Sequence, residues 1–183
     1  MAASYKPATF PPALTVTFTQ NDVKCYGDNS GSIDISVSGG TSYTYIWTAS
    51  AGGIVPAGQA NNQDLTGLVA GYYRVKVYDN GVLDGTTLIV ITQPEVLSAT
   101  VASTNVTCNG ANNGTITISN PLGGNGNYEF SIDAGANWQA SESFTSLASA
   151  TYNVQIRDAD YPACVIVLNA NLIINQPNIL SAT

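Results

Sequence analysis

The stretch VKCYGDNSGSIDIS at residues 23–36 is matched without a gap by VTCNGANNGTITIS at residues 106–119 when the sequence is shifted by 83 positions. The match places Cys25 on Cys108 and aligns the two glycines that follow each cysteine. A period of that length holds one small domain, whereas most solenoid repeats are roughly 20–50 residues long. The chain is therefore predicted to contain two copies of one domain.

Later blocks of the sequence extend the repeat. LTGLVAGYYRVKVYD at 65–79 matches FTSLASATYNVQIRD at 144–158, and QPEVLSAT at 93–100 matches QPNILSAT at 176–183. The offset is 79 for the first pair of blocks and 83 for the second. The length differences therefore lie between matched blocks, where loops tolerate insertions that strands do not.

The repeat sets the expected domain boundaries. Residues 13–95 form the first predicted domain and residues 96–178 the second. Residues 1–12 are expected to be the tail of a preceding repeat or residues added for expression, and residues 179–183 the start of a following repeat. The junction is predicted to be short and fairly rigid, because proline cannot donate to a strand ladder and keeps the residue before it extended. The junction residues are Gln93, Pro94, Val96 and Leu97.

Alternation of apolar and polar residues predicts β-strands. Ile33, Ile35 and Val37 alternate with polar residues in one run, and Tyr73 and Val75 do so in another. No stretch shows sustained helical spacing, and turn residues recur roughly every ten positions, as in two-sheet β-proteins. The fold class is therefore predicted to be all-β, with two tandem immunoglobulin-like antiparallel β-sandwich domains of six or seven short strands each.

The pattern L-x-x-G-x-Y resembles the tyrosine corner of immunoglobulin-like sandwiches, where a tyrosine at the start of a strand bonds its hydroxyl back to the preceding turn. The alternative is a core tyrosine whose hydroxyl faces water. The residues of the pattern are Leu68, Gly71 and Tyr73 in the first repeat, and Leu147, Ala150 and Tyr152 in the second.

Composition argues against several classes of function. Only 9% of residues are charged, against roughly 25% in an average domain. The net charge is −7, and the five lysines and arginines are scattered, so no basic patch is expected to bind nucleic acid or an anionic membrane. No apolar run approaches the ~20 residues of a transmembrane helix. No signal peptide is recognisable, so a secreted parent protein would make this chain an excised piece.

Catalytic residues are scarce. The sequence has no histidine, so a Ser-His-Asp or Cys-His arrangement cannot form, and no acidic pair suited to glycoside hydrolysis recurs in both repeats. No enzymatic activity is expected. Ligand binding is the alternative, since exposed aromatic side chains stack on sugars. Trp47 lies in register with Tyr43 and Tyr45 and is predicted to lie in the core. Trp138, in a loop or at a strand edge within AGANWQAS, is the candidate ligand contact.

The order of the motifs resembles the SprB-repeat family, the tandem modules of very large surface adhesins of gliding Bacteroidota. That order is C-x-G-x-x-x-G-[ST]-I, Gly-Gly, Y-x-[YF], L-x-x-[GA]-x-Y-x-V-x-[VI]-x-D and Gln-Pro, and it occurs twice. The resemblance implies a non-catalytic module of an extracellular adhesin, exported by the type IX secretion system. Such a module acts as an extended spacer or adhesive filament in surface attachment and gliding motility. The implied partners are neighbouring repeats of the same chain and a surface polysaccharide or substratum.

The cysteines are interpreted in the light of this resemblance. The family often has a second cysteine soon after the strand that ends in aspartate, and only the second repeat has it, at Cys164. Three cysteines in an oxidising setting predict one disulfide and one free thiol. The expected pair is Cys108 with Cys164, which leaves Cys25 free. Two alternatives remain open: three buried free thiols, or Cys25 and Cys108 joining two copies of the chain.

No cofactor is expected. Loops rich in Asp and Asn can supply oxygen ligands to calcium, but most acidic residues of one repeat are missing from the other. Only Asp79 and Asp158 correspond, and a role in a turn is the preferred interpretation for both. Asp158 together with Asp160 is the remaining local candidate for a calcium site.

Overall fold

The computed structural model describes residues 13–180. The predicted role of residues 1–12 lies outside the described residues, as do residues 181–183 of the predicted third-repeat segment. No strand is assigned after Ile174 within the described part of the chain.

The chain forms two compact units, which divide between Gln93 and Pro94. The predicted boundary lay two residues further on. One short segment departs from the order of the sequence, because residues 24–26 group with the second unit although they lie within the first repeat. Among the described residues, the first unit comprises 13–23 and 27–93, and the second comprises 24–26 and 94–180.

The first unit contains six strands in two antiparallel sheets. The sheets have the strand orders β1-β2-β4 and β3-β5-β6. Tyrosines 43 and 45 and Trp47 lie on β3, in the alternating run identified from the sequence. The strands are β1 Thr15–Asn21, β2 Gly31–Ser38, β3 Tyr43–Ser50, β4 Leu65–Leu68, β5 Gly71–Asp79 and β6 Val82–Ile91.

The second unit repeats this arrangement strand for strand. Its two antiparallel sheets have the orders β10-β8-β7 and β12-β11-β9, which correspond to the two sheets of the first unit. The strands are β7 Ser98–Thr104, β8 Gly114–Leu122, β9 Tyr128–Ser131, β10 Ser143–Leu147, β11 Ala150–Asp158 and β12 Val165–Ile174.

The core of each unit follows from the alternation in the sequence. In the first unit Ile33, Ile35, Tyr73, Val75 and Val77 are buried, whereas the residues between them on β2 and β5 face outward. Burying one large apolar side chain contributes about 1.5–3 kcal/mol relative to leaving it exposed. The buried residues of the second unit include Ile116, Ile118, Phe130, Val154, Ile156 and Ile174.

The prediction of an all-β, antiparallel fold is confirmed. All strand pairs in the described residues are antiparallel, and residues 13–180 contain no helix. Two three-stranded sheets around one core in each unit are consistent with β-sandwich domains. The immunoglobulin-like topology stays a prediction.

Candidate functional site

A loop that carries a cysteine follows the first strand of each unit. We call residues 22–27 and 105–110 the cysteine loops. In the first, Val23 donates its backbone N–H to the carbonyl oxygen of Thr92 at 2.9 Å, and Thr92 donates its own N–H to Oδ1 of Asp22 at 2.8 Å. Gly27 then donates its N–H to the side-chain oxygen of Gln93 at 2.8 Å. The two residues that follow β6 therefore hold the loop at both of its ends.

The second cysteine loop is held in the same way. Val106 donates its N–H to the carbonyl oxygen of Asn175 at 2.9 Å, and Asn175 donates to Oδ1 of Asn105 at 2.9 Å. Gly110 donates to the side-chain oxygen of Gln176 at 3.0 Å. The glycine has φ +75° in the first loop and +77° in the second, a conformation that glycine adopts without strain.

These contacts assign a role to the glutamine of each Gln-Pro pair. The sequence identified Gln93 only as a junction residue, and its side chain binds the cysteine loop of its own repeat. The repeat contains a signal for this contact, because both members of each bonded pair recur 83 positions later: Gly27 and Gln93 become Gly110 and Gln176. A comparison of the two repeats for pairs of residues that keep the same separation would therefore have found this contact.

The disulfide joins Cys25 to Cys164, with 5.3 Å between the two Cα atoms. Cys108 is a free, exposed cysteine. The expected pairing of Cys108 with Cys164, and a free Cys25, is therefore wrong.

The length of β12 explains why Cys108 and Cys164 do not pair. The loop of Cys108 binds Asn175 and Gln176, which lie just beyond the C-terminal end of β12. Cys164 directly precedes the first residue of that strand. Ten residues at ~3.3 Å each separate the two ends by about 30 Å. A disulfide needs Cα atoms within about 7 Å, so the second unit cannot form this bond internally.

Cys164 lies at the end of a turn organised by Asp158. The backbone N–H of Asp158 donates to the carbonyl oxygen of Cys164 at 3.0 Å, and that of Cys164 donates to the carbonyl oxygen of Tyr161 at 2.8 Å. The carbonyl oxygen of Lys24 lies 3.5 Å from the sulfur of Cys164. The ammonium of Lys24 lies 5.6 Å from the centre of the Tyr161 ring, a cation–π geometry. We call residues 158–164 the cysteine hairpin.

The carboxylate of Asp158 is fully buried, and both of its oxygens are occupied. Oδ2 accepts the backbone N–H of Asn125 at 2.6 Å and the side-chain amide of Asn125 at 2.9 Å. Oδ1 accepts the backbone N–H groups of Asp160 and Tyr161 at 2.9 and 3.1 Å. Burial alone raises the pKa of Asp158, but these hydrogen bonds outweigh it and hold the pKa below its ordinary value.

Asp79 occupies the corresponding position in the first unit and also accepts hydrogen bonds from a neighbouring loop. Its Oδ1 accepts the backbone N–H groups of Thr41 and Ser42 at 3.1 and 2.9 Å and the side-chain amide of Asn80 at 3.1 Å. The two backbone bonds lower the pKa of Asp79. Each shared aspartate thus binds the loop that follows the Gly-Gly pair of its repeat, which is the turn role preferred from the sequence.

The candidate calcium ligands are engaged within the protein. Asp158 accepts four hydrogen bonds as described, and Oδ2 of Asp160 accepts the side-chain amide of Asn127 at 2.8 Å. Residues 13–180 contain no group of three or more His, Cys, Asp or Glu side chains placed to hold a metal ion. Asp158 and Asp160 are structural acceptors of the cysteine hairpin in this arrangement.

The predicted tyrosine-corner residues make the hydrogen bond that defines the motif. The hydroxyl of Tyr73 donates to the carbonyl oxygen of Val69 at 2.8 Å and accepts the N–H of Ile54 at 3.2 Å. The hydroxyl of Tyr152 donates to the carbonyl oxygen of Ala148 at 3.0 Å. Tyr73 is fully buried, and burial raises its pKa, whereas Tyr152 is half-buried.

The remaining residues of this pattern differ in burial between the repeats. Leu68 is fully buried and Leu147 is half-buried. Gly71 lies against the backbone of Gly53, so that a Cβ at Gly71 would stand 2.0 Å from the nitrogen of Gly53. Ala150 is exposed in the second repeat, and the side chain is tolerated there.

The two tryptophans lie in different settings, as the sequence indicated. Trp47 is buried in the core and donates its indole N–H to the carbonyl oxygen of Asn62 at 2.9 Å. Trp138 is half-buried, and the guanidinium of Arg157 lies 4.4 Å from its ring centre. Nη2 of Arg157 also lies 2.7 Å from Oε2 of Glu129. One face of the Trp138 ring is therefore covered by a cation that is itself paired.

The described chain thus belongs to the class of tandem-repeat β-proteins, with one cysteine loop in each repeat and a cysteine hairpin in the second. The SprB repeat family model matches it twice, over residues 17–52 and 100–137. Each match includes the cysteine loop of its repeat. These two matches confirm the resemblance drawn from the sequence.

No curated protein matches the chain. Residues 13–180 contain no helix that is long and apolar enough to cross a membrane.

Proposed function

We propose that this chain is a non-catalytic repeat module of a large cell-surface adhesin. It is extracellular, exported by the type IX secretion system, and serves surface attachment and gliding motility as a spacer or adhesive segment. The observation that carries the proposal is the pair of SprB repeat matches, each falling on a β unit with its own core. Surface adhesins gain length by adding such modules to one chain.

A non-catalytic role is supported by the way the acidic groups are used. The chain has no histidine to act as a general base. Asp158, the fully buried carboxylate, has both oxygens engaged by hydrogen bonds from its own unit. A group with a lowered pKa and no free lone pair facing solvent is suited to holding a turn rather than to transferring a proton.

The proposed partners are the neighbouring repeats of the same chain and a surface polysaccharide or substratum. The net charge of −7 disfavours nucleic acid and anionic lipid, whose binding depends on clustered basic residues. No cofactor or metal is part of the proposal.

A carbohydrate-binding module is the second candidate, and Trp138 is the observation that favours it. An indole ring with one open face can stack on a sugar ring. Arg157 already covers one face of this ring at 4.4 Å, so a sugar would have only the opposite face. The adhesin-module proposal does not need this contact.

Immunolabelling of intact cells tests the location. Antibodies raised against this chain are applied to living cells that produce the parent protein, with and without external protease. We expect surface labelling that the protease removes, and labelled patches that move along gliding cells. Labelling that requires permeabilised cells would overturn the proposal.

Competition then separates a spacer from a ligand-binding module. The purified chain is added in excess during attachment of cells to a surface and is also screened on a glycan array. A spacer leaves attachment unchanged and gives no glycan signal. A carbohydrate-binding module competes and gives a signal that is lost in Trp138→Ala. Trp138→Phe serves as the matched control, because it keeps an aromatic face.

A further inference from the structure

We infer that Cys108 is the acceptor for a second disulfide, formed with the hairpin cysteine of a further SprB repeat placed after residue 176. The partner is thus another repeat of the same kind as the second one, containing its own copy of the cysteine hairpin. The inference rests on the proposed tandem-repeat function and identifies the chemistry by which one repeat is linked to the next.

The bonded state of the matching cysteine carries the inference. Cys25 and Cys108 are equivalent positions of the repeat, yet Cys25 is bonded to Cys164 while Cys108 is free and exposed. The repeat therefore shows one occupied and one unoccupied copy of the same acceptor position.

The two acceptor positions have the same backbone setting. Each loop donates a valine N–H to a backbone carbonyl oxygen at 2.9 Å and a glycine N–H to a glutamine side chain, at 2.8 Å in the first loop and 3.0 Å in the second. Each loop therefore presents its cysteine from the same place, beside the Gln-Pro pair that ends its own repeat. Cys108 needs no rearrangement of its loop to offer its sulfur as Cys25 does.

The pairing partner has to come from outside the second repeat. Strand β12 is about 30 Å long and keeps Cys108 away from Cys164. Cys164 is also already bonded to its partner. Cys25 is used in the same bond. The chain has three cysteines, so the acceptor at Cys108 is left for a cysteine that a following repeat supplies.

Only some repeats can supply that cysteine. The second repeat has the cysteine hairpin between β11 and β12. The first repeat joins the corresponding strands through the turn Asn80-Gly81, with φ +50° and +80°, and has no cysteine there. A repeat of the first kind can accept a disulfide but cannot donate one. The links along an array are therefore set by which repeats carry the hairpin.

The bond forms by oxidation of two thiols. The two sulfurs join, and two protons and two electrons pass to a small-molecule disulfide such as oxidised glutathione, which becomes two thiols. An exported protein meets such oxidising conditions.

The test extends the chain by one repeat. Residues 1–176 are followed directly by a second copy of residues 94–183, which preserves the spacing of 83 residues. The protein is folded in a glutathione redox buffer, and its disulfides are mapped by mass spectrometry of non-reduced peptides. We expect Cys25 bonded to the first Cys164, and Cys108 bonded to the added Cys164, with one free thiol left in the protein.

The control replaces only the added hairpin cysteine by serine. We expect Cys108 and the added Cys108 to be the two free thiols of this variant. The disulfide of Cys25 should persist, which shows that the first two repeats have folded. Three free thiols in the unsubstituted extended chain, or Cys108 bonded to another cysteine or to a second molecule, would overturn the inference. Because the thiols are counted on purified protein, this outcome is separate from the surface labelling that tests the proposed function.

Discussion

Replacing Asp158 by asparagine is expected to destabilise the second unit strongly while leaving the first intact. Four donors converge on the carboxylate, two on each oxygen. An asparagine amide has one oxygen, so it can satisfy only one pair and turns its NH2 group toward the other pair. Two donors then lose their acceptor. An unpaired donor costs about 1–3 kcal/mol when it is buried. Because the residues that donate to Asp158 are themselves exposed, the lower end applies to each donor, and the free energy of unfolding of the second unit should fall by about 2 kcal/mol.

Asp79→Asn is the matched control. All three hydrogen bonds of Asp79 go to its Oδ1, and an asparagine at that position can keep its oxygen there. The control therefore loses only the charge on the acceptor. We expect a clearly smaller effect, confined to the first unit.

Fluorine NMR can follow each unit separately, because Trp47 lies in the first and Trp138 in the second. Labelling with 5-fluorotryptophan gives one resonance for each unit, assigned with Trp138→Phe. Urea unfolding of Asp158→Asn should move the midpoint of the Trp138 signal down by about 1–2 M, given a denaturant dependence of about 1–3 kcal/mol per molar urea. The signal of Trp47 should not move. Equal effects of the two substitutions, or a shift of both signals, would show that the buried four-donor contact is not what stabilises this turn.

Three further results are expected. Tyr73→Phe should lower the free energy of unfolding of the first unit by about 1–3 kcal/mol, because it removes a fully buried hydroxyl from part-buried backbone partners. Tyr152→Phe should cost the second unit less than about 1 kcal/mol, because its bond is exposed; equal losses in urea titrations would contradict this. Gly71→Ala should cost at least about 3 kcal/mol, since its Cβ would stand 2.0 Å from the nitrogen of Gly53, and a native thermal transition of the first unit in this variant would refute the clash. The lowered pKa of Asp158 adds stability that is complete above about pH 5 and is lost as the pH falls through the folded-state pKa; the urea midpoint of the second unit should drop between pH 5 and pH 3, and this drop should be smaller in Asp158→Asn.

The fold could be predicted because its signals are local. Alternating residues such as Ile33 and Ile35 report directly which side of a strand faces the core. The position of Tyr73 at the start of a strand fixes the direction of its hydroxyl in the same local way. The second repeat provided an independent copy of each signal, so that Asp79 and Asp158 stood out as the acidic pair with a shared role.

The disulfide could not be predicted because it depends on which strand ends lie together. Cys108 and Cys164 belong to the same repeat and were therefore the expected pair. Their separation becomes visible only when the cysteine loop is known to bind Gln176, at the end of β12 opposite Cys164. Hydrophobic patterns contain no information about this contact, since it is made by a side-chain amide and a backbone N–H.

The glutamine contacts have a consequence for how the gene can change. Gln93 and Gly27 lie in one copy of the repeat, and Gln176 and Gly110 lie in the next. Unequal recombination that inserts or deletes one 83-residue period therefore transfers both members of the pair together. Neither a gain nor a loss of copies leaves a cysteine loop without its glutamine. The parent gene can lengthen or shorten by whole periods while every remaining domain keeps the contacts that close it.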